Sequence, residues 1–139
     1  MADATQIRAV FINLPIRDVS KTRAFWSNLG FTFSEQYSDE KALCLRLKDD
    51  EILAMLIAED YFRTFTHRPV SDRESTQVLL AIDVGSRGKV EQIMRLAVEN
   101  GAKRYLQPED QGFMYYDRFT DPDGHQWEIM TLAEPAGER

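Results

Sequence analysis

"GFMYYDRFTDPDGHQWEIM", Gly112 to Met130, is the stretch on which the reading of this chain turns. Two runs rich in aromatic and apolar residues, "QGFMYYDRFT" and "GHQWEIMTL", flank Asp121-Pro122-Asp123-Gly124, a tight polar turn. The stretch therefore reads as two strands joined by that turn. Asp121 and Asp123 belong to the turn chemistry and need no other role. One residue is out of place. Glu128 sits between Trp127 and Ile129 in an otherwise apolar strand. Either it faces water on a half-exposed strand, or it points into a pocket and does chemistry.

Working back from this hairpin, "AKRYLQ" reads as a strand. "SRGKVEQIMRLAVENG" reads as a helix with Val90, Ile93, Met94, Ala97 and Val98 on one face and Gly101 as its stop. "TQVLLAIDV" reads as a strand before that helix. The same order occurs once already. "IRAVFINLPI" is a β-branched strand, and "DVSKTRAFWSNLG" is a helix with Ser20 as N-cap and Gly30 as stop. "FTFSEQY", "KALCLRL" and "EILAMLIA" are three further strands, the last two joined at Asp49-Asp50. The segment 59–75 breaks the rhythm with Pro69, mixed charge and three aromatics, and reads as a linker with a short helix. Tyr61, Phe62 and Phe65 in it either plug the core or wall a pocket. From Ala133 the chain reads as a frayed tail.

The expected fold is therefore α+β. Two βαβββ modules, 5–58 and 76–133, make a cupped, barrel-like sheet with the helices outside. A chain of 139 residues fits one domain with a real core. The net charge of −6 argues against a nucleic-acid groove, which needs a basic stripe. The single cysteine, Cys44, excludes an internal disulfide, suits a reducing compartment and reads as a packing residue. With no signal-like or spanning run, the expectation is a cytoplasmic protein without membrane or nucleic-acid partners.

The front piece "NLPIRDVSKTRAFWSNLGF" and the back piece "GFMYYDRFTDPDGHQWEI", with the element order between them, resemble the vicinal oxygen chelate superfamily. This is the glyoxalase/bleomycin resistance/extradiol dioxygenase family. The resemblance implies paired βαβββ modules and a homodimer. In many members it also implies a divalent metal held by one ligand from each of four strands. Carried over by position, those ligands fall at Phe11, at Ala54 or Met55, at Leu79 and at Glu128. Only Glu128 is a donor. A catalytic metal needs about three protein ligands, and the two histidines, His67 and His125, do not supply them. His125 stands three residues before Glu128, which sends it to the other face of the strand. No cofactor is expected, with a divalent metal as the alternative.

Period-two alternation gives the lining of the cup. Glu128 brings Gln126 and Met130. The first strand brings Phe11, Asn13 and Pro15, and the fifth Leu79, Ala81 and Asp83. The seventh strand brings either Met114, Tyr116 and Arg118, or Phe113, Tyr115 and Asp117. The candidate ligand-binding set is Phe11, Asn13, Leu79, Met114, Tyr116, Arg118 and Glu128. Unless Arg118 or a bound cation pairs with it, Glu128 is also the candidate acid or base. The expected partner is a small aromatic or cationic molecule, bound without a catalytic metal. The alternative is a metal-dependent lyase or dioxygenase of the same superfamily.

Overall fold

A computed structural model describes residues 2–132, so the expected tail lies outside the described residues. The chain divides into two compact units, Met1–Val70 and Ser71–Arg139. Among the described residues there are eight strands in two sheets and three α-helices, an α+β fold. Each sheet is open, and neither closes into a barrel.

In the first unit, β1 (Val10–Ile16) leads into α1 (Val19–Asn28) and then to the antiparallel pair β2 (Ala42–Lys48) and β3 (Ile52–Ala58). β3 lies between β1, to which it is parallel, and β2. The parallel pairing demands a crossover, which α1 provides. The N-cap of α1 is Asp18 rather than Ser20. Its carboxylate accepts from Lys21 N at 2.9 Å, and Ser20 lies inside the first turn. Leu43, Leu45 and Ala54 are fully buried on one sheet face, and α1 presents Phe25, Trp26 and Leu29 as its buried side. A short α2 (Glu59–Phe62) follows β3. Tyr61 and Phe65 do not plug the core. They are exposed and meet edge to face at 4.9 Å.

The expected strand "FTFSEQY" is reduced to one bridge, Phe33 to Leu45. Local bonds win beyond it. Tyr37 N donates to Ser34 O at 3.2 Å, and the Ser38 hydroxyl donates to the same carbonyl at 2.7 Å, so Glu35–Tyr37 winds into a 3₁₀ turn.

The second unit repeats the pattern. β4 (Leu80–Asp83) leads into α3 (Arg87–Glu99), two short strands β5 (Lys103–Arg104) and β6 (Glu109–Asp110), and the hairpin β7 (Met114–Thr120) and β8 (Gln126–Leu132). The order is β4-β8-β7-β5, with β6 also on β7. It matches β1-β3-β2 of the first unit, where the Phe33 bridge stands in the place of β5. α3 packs on β7 and β8. Its buried residues Val90, Ile93, Met94 and Ala97 follow the helical repeat, and Trp127, Phe119 and Ile129 are fully buried.

Two strands are shorter than the sequence suggests. β4 starts at Leu80, which pairs with Trp127 of β8. Leu79 thus lies just ahead of the strand. "AKRYLQ" pairs only at Lys103 and Arg104. Beyond them the Gln107 carbonyl accepts from Arg118, and Pro108 has no N–H to offer a ladder.

Asp121 organises the turn between β7 and β8. Its Oδ1 accepts from Asp123 N at 2.9 Å and His125 N at 3.0 Å, and its Oδ2 accepts from the Trp127 indole at 3.0 Å. The carboxylate thereby ties the turn to the largest side chain of the core. His125 belongs to this turn and not to the strand.

Candidate functional site

The alternation along β8 decides which way Glu128 points. Trp127 and Ile129 are fully buried, while Gln126, Glu128 and Met130 between and around them are half-buried. Glu128 therefore lies on the sheet face away from α3. The cross-strand register fills in that face. Ala81, Glu128 and Arg118 form one row. Asp83, Met130, Tyr116 and Glu109 form the next. Leu132 and Met114 form a third. Of the two alternatives for the seventh strand, the set Met114, Tyr116 and Arg118 shares the face of Glu128. Tyr115 and Asp117 point to the α3 side, where the Asp117 carboxylate takes Arg104 at 2.6 Å.

Arg118 is the most constrained side chain here. It is only 9% exposed. Its Nη2 donates to Glu109 Oε2 at 3.1 Å and to Gln107 O at 3.2 Å, and its guanidinium lies 4.7 Å over the Tyr116 ring. The Tyr116 hydroxyl donates to the same Glu109 carboxylate. Glu109 is held below the ordinary glutamate range, first by the Tyr116 hydroxyl and then by Arg118. The Tyr116 phenol is pushed up by the same hydrogen bond.

Glu128 is different. It stands directly opposite Arg118, yet Arg118 is turned to Glu109. Among the described residues the Glu128 carboxylate makes no hydrogen bond or ion pair. The Tyr105 phenol is pushed up by burial, then by the charge of Glu128, against the opposing pull of Arg118.

Tyr105 and Glu109 were not legible as site residues. Tyr105 lies in the irregular stretch after β5 and Glu109 in the two-residue β6, and neither piece is long enough for a period to report a face. The only available signal was indirect: a buried arginine needs an acceptor within reach.

The other expected residues divide between the units. In the first unit Phe11 and Asn13 share a sheet face, because they pair with Leu53 and Met55. That register also chooses between the two alternatives for the fourth strand. Met55 shares the face of Asn13 and pairs with Cys44, while Ala54 lies on the opposite face and is fully buried. Phe11 is 51% exposed and Leu79 53%. Cys44 is fully buried and its thiol is pushed up by that burial, as suits a packing residue.

The metal-ligand positions that the resemblance implies carry a phenyl ring, a thioether, an isobutyl group and one carboxylate. This donor set does not fit a catalytic divalent metal. Among the described residues no three His, Cys, Asp or Glu side chains gather into a metal-binding group. Among them, too, no helix is long and apolar enough to cross a membrane.

Known structures share the architecture. A hypothetical protein from S. aureus superposes with a TM-score of 0.77 at 22% identity, covering 92% of this chain and 96% of that one. A glyoxalase/bleomycin resistance protein/dioxygenase family enzyme from Burkholderia phytofirmans gives 0.71 at 18%, covering 88% and 97%. A bleomycin resistance determinant encoded on the transposon Tn5 gives 0.62 at 20%, covering 90% and 98%. At these identities the likeness speaks for the fold alone. No curated protein matches the sequence. The profile of the Glyoxalase/Bleomycin resistance protein/Dioxygenase superfamily matches residues 8–129, most of the chain, with the "DPDGHQWE" stretch at its end. The chain therefore belongs to the glyoxalase/bleomycin resistance protein/dioxygenase superfamily.

Proposed function

We propose that the protein binds a small aromatic or cationic molecule on the Glu128 face of its second unit, without a catalytic metal. The observation that carries this reading is the half-buried Glu128 carboxylate, which has no hydrogen-bond or ion-pair partner among the described residues. A carboxylate removed from part of its water needs a counter-charge or donors. A cationic ligand supplies the counter-charge. Tyr116, Met114 and Met130 on the same face suit an aromatic or alkyl body, since aromatic rings and thioethers adapt to such groups. A few polar groups among apolar ones is the common make-up of small-molecule sites. The donor set at the four family positions supports the metal-free part. We further propose a homodimer in the cytoplasm, from the family resemblance and the composition.

Thermal shift with benzyltrimethylammonium, an aromatic cation, tests the reading. Binding to the folded state raises the melting temperature by an amount that grows with the logarithm of ligand excess. The wild type is expected to be stabilised, and Glu128→Gln to lose about tenfold or more in affinity, about 1.4 kcal/mol. Equal stabilisation of both proteins removes Glu128 from the site. Metal analysis of protein purified without chelator tests the second part. Stoichiometric zinc, nickel, manganese or iron that disappears in Glu128→Gln overturns the metal-free reading.

A further inference from the structure

Arg118 and Glu128 are directly opposed on β7 and β8, and opposite charges so placed normally pair across the strands. Here they do not. Arg118 is drawn to the other side by Glu109 Oε2 at 3.1 Å, by the Gln107 carbonyl at 3.2 Å and by the Tyr116 ring. The arrangement is not the one that best satisfies the guanidinium. Its Nε–H is buried and has no hydrogen-bond partner among the described residues. A buried donor left without an acceptor is costly, so some other interaction must hold the group there. Glu109 is the charged member of that set, and Tyr116 braces it by donating to the same carboxylate.

We infer that Glu109 is a positioning residue: it holds Arg118 off Glu128 and so keeps the Glu128 carboxylate free for a cationic ligand. This rests on the binding reading given above and adds to it a latch with two positions. With Glu109 in place, Arg118 is neutralised locally and the face presents an unpaired anion. Without it, a buried guanidinium must find another anion, and Glu128 is the carboxylate opposite it in register. Arg118 then fills the position of the ligand's cation, and the site closes to it. Glu109 touches no ligand in this scheme and acts through Arg118.

The test is Glu109→Gln in the full chain, read in two ways. The Glu109 side chain is 45% exposed, so the substitution leaves the core untouched. First, the crystal structure of the ligand-free variant is expected to show the Arg118 guanidinium moved from its wild-type position to ion-pair distance of the Glu128 carboxylate. Second, affinity for benzyltrimethylammonium is expected to drop about tenfold in Glu109→Gln and to return in the double variant Glu109→Gln/Arg118→Met. A guanidinium that stays away from Glu128 in Glu109→Gln overturns the latch, as does a loss of affinity that survives the removal of Arg118. The structural reading needs no ligand. A moved guanidinium in a protein that never binds the cation therefore upholds the latch and refutes the binding reading alone.

Discussion

Replacing Arg104 by methionine probes the most buried ion pair in the second unit. The Asp117 carboxylate is 2% exposed. It receives Arg104 Nε at 3.1 and 3.0 Å, Arg104 Nη2 at 2.6 Å, and the Arg118 amide at 2.8 Å. Removing the guanidinium strips this acid of its bidentate partner and leaves one backbone donor. Breaking a fully buried pair from one side typically costs about 3–5 kcal/mol. Arg104, however, is 40% exposed on its side chain, so water reaches the vacated edge and screens part of the loss. The expectation is accordingly about 2–3 kcal/mol. The assay is urea unfolding, with the midpoint compared at constant slope. The double variant Arg104→Met/Asp117→Leu supplies the check. With both charges gone no acid is left stranded, and most of the loss is expected to return. A single variant within about 0.5 kcal/mol of the wild type, the range of ordinary surface changes, would refute the reasoning. So would a double variant weaker than the single.

Four further outcomes are expected. Asp121→Ala removes the acceptor of two turn amides and the Trp127 indole, and urea unfolding should register a loss of about 2–4 kcal/mol, against a smaller loss for Asp121→Asn. Ile129→Ala should destabilise by about 2–5 kcal/mol, and Met130→Ala, one residue along on the other face, by clearly less; equal losses would put the register in error. In an alkaline absorbance titration Tyr116 should ionise above the ordinary phenol value of 10.0, and the Glu109→Gln variant should bring it back down. Because that value is raised in the folded state, the associated stability is present below 10.0 and lost as pH rises through the raised value. Glu109 has the opposite sign. Its contribution is present above the ordinary 4.5 and lost as pH falls through the lowered folded value, so cation binding should weaken in that acid range before the fold melts.

The helices and the Asp121 turn were readable because their signals are local. Gly30 and Gly101 both take positive φ, 93° and 104°, where each helix was expected to stop. The apolar stripe of α3 is the buried one, apart from Val98, which is 45% exposed at the helix end. Strand lengths were less legible. An alternating run such as Phe31 to Phe33 promises a strand, but a strand exists only as far as its neighbour offers a ladder, and serine side chains nearby offered the backbone something else.

For this protein, local sequence was enough to determine the two-fold repeat, the helix ends, the turn that Asp121 ties, and the donor types at the four family positions. These depend on residue chemistry and on periods of two and 3.6, which neighbours in the chain carry between them. The partner of each charge was decided elsewhere. Glu128 lies ten residues from Arg118 in sequence and directly opposite it in the sheet, yet Arg118 pairs with Glu109. That choice comes from the stretch after β5 and the two-residue β6, which bring Gln107 and Glu109 beside β7, and no periodicity reports where such short pieces go. Charge pairing acts through space between groups that only tertiary structure brings together. The sequence could therefore name the acid, while the fold determined that it stands unpaired among the described residues.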